Sequence, residues 1–317
     1  MPSVSSKLYD CIVVGGGPAG LAVASTLGRL NLSALVFDSG VYRNAAAQYL
    51  HNVPGWDHTP AAKLRERVRD DLTSRYSLIE LSDVSITTVS KLPSGHFEAV
   101  DSKENSSTGR TLVLATGIRD VMVEIDGYAE CWARGIFHCL ICHGFEERGA
   151  PSIGVLAVGT TANPRVTAQT SRLASQFGSI ITVYTHGDEK LVPTLQEALG
   201  NNTQRVVYEH RKIMSIRMEG PKSSGVIVVL EDGTERSEGF LAHSPGFEIN
   251  GPFVAQLGLD VTEAGYIKTT EPFGETSVPG VFAAGDTMTS VHFITNAALN
   301  GGTTGAGIAY MLAGASL

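Results

Sequence analysis

The sequence predicts an α/β protein of two Rossmann-like three-layer folds, the first discontinuous and the second inserted within it, and three observations carry that prediction. The apolar run Tyr9-Asp10-Cys11-Ile12-Val13-Val14 ends in glycines, helical spacing follows over 21–30, and a second strand pattern covers 33–38. That order is one βαβ unit. A second unit follows as strand 152–158, helix 165–177 and strand 180–185. Two further strands closing on glycine, 112–117 and 281–286, stand outside the second unit. The simplest arrangement is a nucleotide-binding domain of residues 1–118 and 246–317, with a second domain, 119–245, inserted and the chain returning at Pro245-Gly246.

Composition narrows the class. A chain of 317 residues holds two cores of ordinary size, and 43% hydrophobic with 18% charged residues is a globular balance that excludes disorder. A net charge of -8 with no Lys/Arg cluster excludes nucleic acid and anionic membrane as partners, since both require a basic surface. Met1 to Tyr9 is polar and lacks a signal-peptide core, the first strand is too short to cross a bilayer, and Ala315-Ser316-Leu317 is too weak for a targeting address. The expectation is a cytoplasmic protein. Four cysteines are too few for a disulfide scaffold, so Cys139 and Cys142 read as a working redox pair. Cys11 reads as a small core residue, and Cys131 has no visible partner.

The first glycine loop, Gly15-Gly16-Gly17-Pro18-Ala19-Gly20, follows a strand and opens a helix. Gly15 suits the tight turn, Gly17 the close approach of backbone to a pyrophosphate, and Gly20 the packing of helix on strand. Asp38 ends the next strand 18 residues past Gly20, placed to accept hydrogen bonds from ribose hydroxyls. The second loop, Gly159-Thr160-Thr161-Ala162-Asn163-Pro164, keeps only its first glycine. Thr161 and Pro164 stand where very small residues are needed, and Thr185-His186-Gly187-Asp188-Glu189 offers acids where a 2′-phosphate requires arginine. The second fold therefore reads as architecture with a degenerate NAD(P)-type site, leaving open NADH use through Asp188 or an unusual pose.

The pair in His138-Cys139-Leu140-Ile141-Cys142-His143 can open and close a disulfide. A neutral-pH base is needed to deprotonate an incoming thiol, and His143, directly after Cys142, is preferred over His138. His292 is read as packing beside Phe293. A zinc reading of the cysteines with their flanking histidines fails for want of a second, distant pair, so no metal is expected.

Taken together, the chain resembles the low-molecular-weight thioredoxin reductase family over nearly its whole length. The resemblance is carried by the 15–20 loop, Asn52-Val53-Pro54-Gly55, Ala115-Thr116-Gly117, the Cys139 to Cys142 pair, and Pro279-Gly280-Val281-Phe282-Ala283-Ala284-Gly285-Asp286. It implies a homodimer with FAD in the first domain. Gly15, Gly17, Pro18, Ala19, Gly20, Asp38, Ser39, Arg43, Asn44, Asn52, Val84, Thr116, Gly117, Gly285, Asp286, Phe293, Ile294 and Thr295 are the residues expected along the cofactor.

Three departures redirect the expectation. The nicotinamide motif is missing, His143 replaces the acid reductases carry after the second cysteine, and Phe293-Ile294-Thr295 replaces Arg-Gln-Ala. With Cys-Leu-Ile-Cys-His-Gly, these are similar to the dithiol oxidases of the gliotoxin type. That subfamily closes disulfides in sulfur-bearing secondary metabolites and passes the electrons to oxygen. The resemblance assigns Cys139 to the substrate and Cys142 to the flavin, with a small-molecule dithiol of the epidithiodiketopiperazine kind and O2 as reactants. The competing readings are an NAD(P)H-dependent thioredoxin or disulfide reductase and a flavin-bound redox sensor. A helix starting near Phe293, capped by Thr295 or Asn296, is expected to aim its N-terminus at the flavin.

Overall fold

The computed structural model describes residues 7–200 and 204–314, so most of the polar N-terminal stretch and the C-terminal tripeptide lie outside the described residues. The chain divides into two units, one of Met1–Ala45, Pro60–Arg119 and Glu248–Leu317, the other of Ala46–Thr59 and Asp120–Phe247. Residues 46–59 were expected in the first domain. They group instead with the second unit, because this loop closes on itself through Leu50 N–H to Thr59 O (2.7 Å) and its His51 ring reaches the Cys142 carbonyl.

In the first unit a parallel run orders the strands Ile79–Ser82, Ala34–Phe37, Leu8–Val14, Ser106–Leu114 and Val281–Ala283. Both faces of Leu8–Val14 are covered, which is why its sequence is almost continuously apolar. Cys11 and Val13 belong to one core with Leu21, Val23 and Leu27 of the helix Pro18–Arg29, while Ile12 and Val14 belong to the other with Phe97 and Ala99. A hairpin, Ile86–Lys91 and Phe97–Asp101, joins Ser106–Leu114 antiparallel, and short antiparallel strands at Thr269–Thr270 and Glu275–Thr276 finish the edge. The helix Ile294–Gly314 packs closely on Pro18–Arg29: a Cβ on Gly301 would stand 2.1 Å from the Ala19 carbonyl oxygen.

The second unit repeats the theme with a parallel sheet ordered Val206–Glu209, Gly178–Tyr184, Ala150–Leu156, Leu241–Ala242 and Ile136–Phe137. Helices Pro164–Ala174 and Leu191–Leu199 supply apolar faces, and an antiparallel layer of Ile213–Met218, Val226–Leu230 and Glu235–Glu238 completes the unit. The short strand Ile136–Phe137 delivers the chain to Cys139. The two crossings of the chain, at strands Ile118–Val121 and Gly246–Ile249, pair as a two-stranded ladder. Among the described residues no helix is long and apolar enough to cross a membrane.

Candidate active site

The first glycine loop is built for a ligand. Gly17 is the extended N-cap of Pro18–Arg29, and among the described residues no side chain caps that helix start. Its first-turn N–H groups and the positive end of its dipole are the elements that hold a pyrophosphate. Gly15 has φ 119°, and a Cβ there would lie 2.2 Å from the Ala115 oxygen; one on Gly20 would lie 1.9 Å from the Gly15 oxygen. By contrast nothing stands within 4 Å of the Cβ position of Gly17, which leaves an open cradle at the helix start. The buried Asp38 carboxylate accepts from Gly40 N–H (2.9 Å), the Tyr42 hydroxyl (2.6 Å) and Arg69 (3.0 Å). A carboxylate accepts about four hydrogen bonds, so capacity for a ribose hydroxyl remains. Burial, followed by the bond to Asp38, pushes the Tyr42 hydroxyl up to about 12.

The loops after neighbouring parallel strands meet this one. Thr116 Oγ1 is buried with no partner among the described residues, while the Thr116 carbonyl accepts from Asn250 Nδ2 (2.9 Å) and Gly117, at φ 68°, accepts at its carbonyl from Asn250 N–H (3.1 Å). Gly285 has φ 78°, and its Cβ position is 2.8 Å from Ala19 Cβ; Asp286 Oδ2 lies 3.4 Å from Arg43. Thus Gly15 to Gly20, Thr116-Gly117, Gly285-Asp286 and Arg43 come together at the carboxyl ends of the strands, where open α/β sheets bind ligands. Ser39 Oγ accepts from Val41 N–H (3.3 Å), Asn44 accepts from Arg65 (3.3 Å), and Val84 lies at the edge of a core. Asn52 is exposed, at φ 59°, in the loop that groups with the second unit. At the C-terminal helix the expected caps are corrected. Phe293 precedes the first helical residue, Ile294, so Thr295 and Asn296 already lie inside the helix, and Asn296 Nδ2 donates to the Val291 carbonyl (2.8 Å). His292 Nε2 lies 3.2 Å from the Tyr266 hydroxyl.

The second loop is filled by the protein itself. Gly159, at φ 58°, opens a short 3-10 turn, and the buried Thr161 hydroxyl donates to the Leu156 (2.9 Å) and Val158 (2.7 Å) carbonyls. Asn163 caps the following helix, its Oδ1 accepting from Arg165 N–H (3.0 Å) and Val166 N–H (3.3 Å). These are donors a phosphate would otherwise take. Past the next strand, Asp188 accepts from Lys190 N–H (3.1 Å) and Glu189 lies 3.3 Å from His210. Arg211 and Arg236 nearby are engaged by Glu209, which Arg211 above all holds near pKa 2.

Cys139 and Cys142 form a disulfide, with Cys139 as N-cap of the single turn Leu140–His143. Cys142 N–H donates to Cys139 Sγ (3.2 Å), an interaction that favours a thiolate there once the bridge opens. His143 is half-buried and stacked on Phe137 at 5.0 Å. Its pKa is lowered, first by burial and then by the neighbouring His51, with Glu146 opposing. His138 stacks on Trp132 at 5.5 Å. Three residues the sequence reading passed over also stand here: His51, its Nδ1 2.5 Å from the Cys142 carbonyl oxygen, and His58 and Glu146 beside it.

A two-unit α/β chain with one open dinucleotide loop and a redox disulfide is a flavin-type thiol/disulfide oxidoreductase in outline. The sequence matches the pyridine nucleotide-disulphide oxidoreductase family over residues 9–301, and the chain belongs to that family. It is 41% identical over 314 residues to a thioredoxin reductase, aclD, of Aspergillus oryzae, covering 98% of each chain. It is 38% identical over 318 residues to a thioredoxin reductase, sirT, of Leptosphaeria maculans, covering 98% of this chain and 96% of that one. The structure of a putative thioredoxin reductase TrxB from Bacillus anthracis superposes with TM-score 0.87 at 22% identity, covering 98% and 100%, a likeness of fold. FAD is the cofactor of this family. The residues present fit it: the Gly17 cradle, the uncapped helix, and the orphaned buried hydroxyl of Thr116 each want a ligand.

Proposed function

We propose that this protein is an FAD-dependent dithiol oxidase, which closes two thiols of a small secondary metabolite of the epidithiodiketopiperazine kind into an intramolecular disulfide while O2 becomes H2O2. The observation that carries the reading is the contrast between the two helix starts: Gly17 leaves one open, and Asn163 occupies the other. An enzyme fed by NADPH needs the second. Electrons then have to enter at the dithiol, in line with the resemblance to gliotoxin-type oxidases and the departures at His143 and Phe293-Ile294-Thr295. By the same resemblance the protein is a homodimer, and the cytoplasmic reading rests on a working cysteine pair suited to a reducing compartment.

The chain's own residues divide the work. A substrate thiolate attacks Cys139 Sγ; the protein S–S bond breaks and Cys142 leaves as thiolate. The second substrate thiolate attacks the substrate sulfur of that mixed disulfide, forming the product bridge and expelling Cys139, whose charge the Cys142 N–H stabilises. His143, kept neutral by its lowered pKa, takes the substrate proton. Bound FAD supplies the two-electron acceptor for the resulting dithiol and the link to O2. Gly15, Gly17 and Gly20 with the Pro18–Arg29 helix start would hold its pyrophosphate, Asp38 its ribose, and Thr116, Gly117, Arg43, Asp286 and the start of the C-terminal helix its remainder.

Anaerobic addition of NADPH to the oxidised holoenzyme tests the proposal. The flavin absorbance should persist with NADPH and fall with a reduced dithiol, and aerobic turnover should release one H2O2 per disulfide formed. Rapid bleaching by NADPH would instead establish the thioredoxin-type reductase reading, and absence of peroxide the redox-sensor reading.

A further inference from the structure

Beside the dithiol stands a set of side chains that this reaction does not use. One ligand atom each from His51, His58 and Glu146 lies within 4.8 Å of the others. His51 Nε2 is 3.2 Å from His58 Nδ1 and 3.5 Å from Glu146 Oε1. The opposite edge of the His51 ring determines what Nε2 can offer. Nδ1 is 2.5 Å from the Cys142 carbonyl oxygen, which can only accept, so Nδ1 carries a proton. In the neutral imidazole Nε2 is then a lone pair, and it faces a carboxylate oxygen and a second ring nitrogen. A proton on His58 Nδ1 satisfies that lone pair as a hydrogen bond, and a cation at the centre satisfies all three groups at once.

The spacing suits a metal ion. Zinc binds imidazole nitrogen and carboxylate oxygen at about 2.0–2.2 Å, and a tetrahedron of that radius has edges of about 3.3–3.6 Å. The separations of 3.2 and 3.5 Å are close to two such edges. An N–H to backbone carbonyl bond on the far side of the ring is also the usual outer support of a metal-bound histidine, fixing its tautomer and orientation.

The backbone presenting these rings is held in a form that side chains rarely adopt. Asn52 at φ 59° and His58 at φ 55° are both left-handed without being glycine. Leu50 N–H to Thr59 O (2.7 Å), His58 N–H to Leu50 O (2.9 Å) and Asn52 N–H to Asp57 Oδ1 (2.9 Å) fasten that loop. Strain kept by such over-determination is characteristic of ligand sites.

We propose that His51, His58 and Glu146 bind a zinc-class divalent cation, with water completing the coordination. The ion clamps the 46–59 loop to the segment carrying Cys142 through Glu146 and the His51 ring. The inference rests on this geometry and is independent of the oxidase reading.

The test uses chelator-treated FAD holoenzyme with its disulfide closed, so that no thiolate competes. Cobalt(II) is titrated and its visible ligand-field bands followed, with zinc displacement measured by calorimetry. About one equivalent should bind in a tetrahedral spectrum, zinc should displace it, and the bands should persist in the Cys139→Ser/Cys142→Ser double variant. His58→Ala and Glu146→Gln, both at exposed positions, should each weaken binding at least ~10-fold with an unchanged melting temperature of the metal-free protein. No cobalt spectrum up to about 1 mM, or a spectrum that survives both substitutions, overturns the proposal.

Discussion

His143→Gln separates a proton acceptor from a packing residue. The wild-type ring lies on Phe137 at 5.0 Å, and burial, reinforced by His51, lowers its pKa from the ordinary value of about 6.5. It is therefore neutral at pH 7 and protonates below the ordinary imidazole value, where the wild-type rate should fall. An ordinary thiol with pKa about 8.5 is only about 3% thiolate at pH 7, a deficit of about 30-fold that a positioned base removes. Positioned bases contribute about 10²–10⁴-fold, so the variant should lose about 10²-fold at pH 7. Because its rate must then follow free thiolate, it should climb nearly tenfold per pH unit below pH 8 and recover about 16-fold by pH 8.5. Anaerobic stopped-flow reduction of the flavin by reduced dithiothreitol, at a series of pH values, reads both limbs. A loss that is constant from pH 6.5 to 8.5, or a profile superimposable on wild type, refutes the assignment.

Three further outcomes are expected. Cys142→Ser should trap the substrate as a mixed disulfide on Cys139, visible by intact mass and peptide mapping; an adduct that forms only on Cys142 in the converse Cys139→Ser variant reverses the roles. Asn163→Ala removes the acceptor for two helix-start N–H groups and should destabilise the second unit by about 0.5–2 kcal/mol in a denaturant melt, yet NADPH should still fail to reduce the flavin. Reduction gained by that variant would show the cap alone to have been the barrier. His243 is buried between the Tyr128 hydroxyl (2.6 Å) and the Val158 carbonyl (3.1 Å), and burial lowers its pKa. The unfolded imidazole binds its proton near pH 6.5 and the native one only at lower pH, so stability present above about 6.5 is lost toward the native pKa, at about 1.4 kcal/mol per pH unit. Chemical denaturation at pH 7.5, 6.0 and 5.0 should show that slope, and a slope as steep in His243→Asn would place the effect elsewhere.

How much of this was legible depends on whether a feature is periodic. Strand Leu8–Val14 declares itself because both faces are buried, and the 15–20 loop because Gly15 and Gly20 each occupy positions where a Cβ would strike backbone. At the second loop the sequence shows the missing glycines but not the hydrogen bonds that Thr161 and Asn163 make in their place. The glycine spacing marks Thr161 and Pro164 as poor substitutes for small residues and says nothing of Asn163, whereas Asn163-Pro164 is an N-cap followed by proline at the first helical position, a start signal in its own right. That difference matters chemically: a loop that merely lacks glycine leaves helix donors for some other anion, while a loop capped by its own asparagine has committed two of them. The 46–59 loop had no such signal. His51 and Cys142 are 91 residues apart, and their contact depends on how Asn52 and His58 turn the backbone. Asparagine tolerates left-handed angles, so Asn52 could have marked a turn, but nothing in the spacing of His51, His58 and Glu146 matches the short ligand spacings by which metal sites are usually read. The cysteines have no second, distant pair in the sequence, and the turn that carries His51 and His58 to the dithiol segment leaves no mark in ligand spacing.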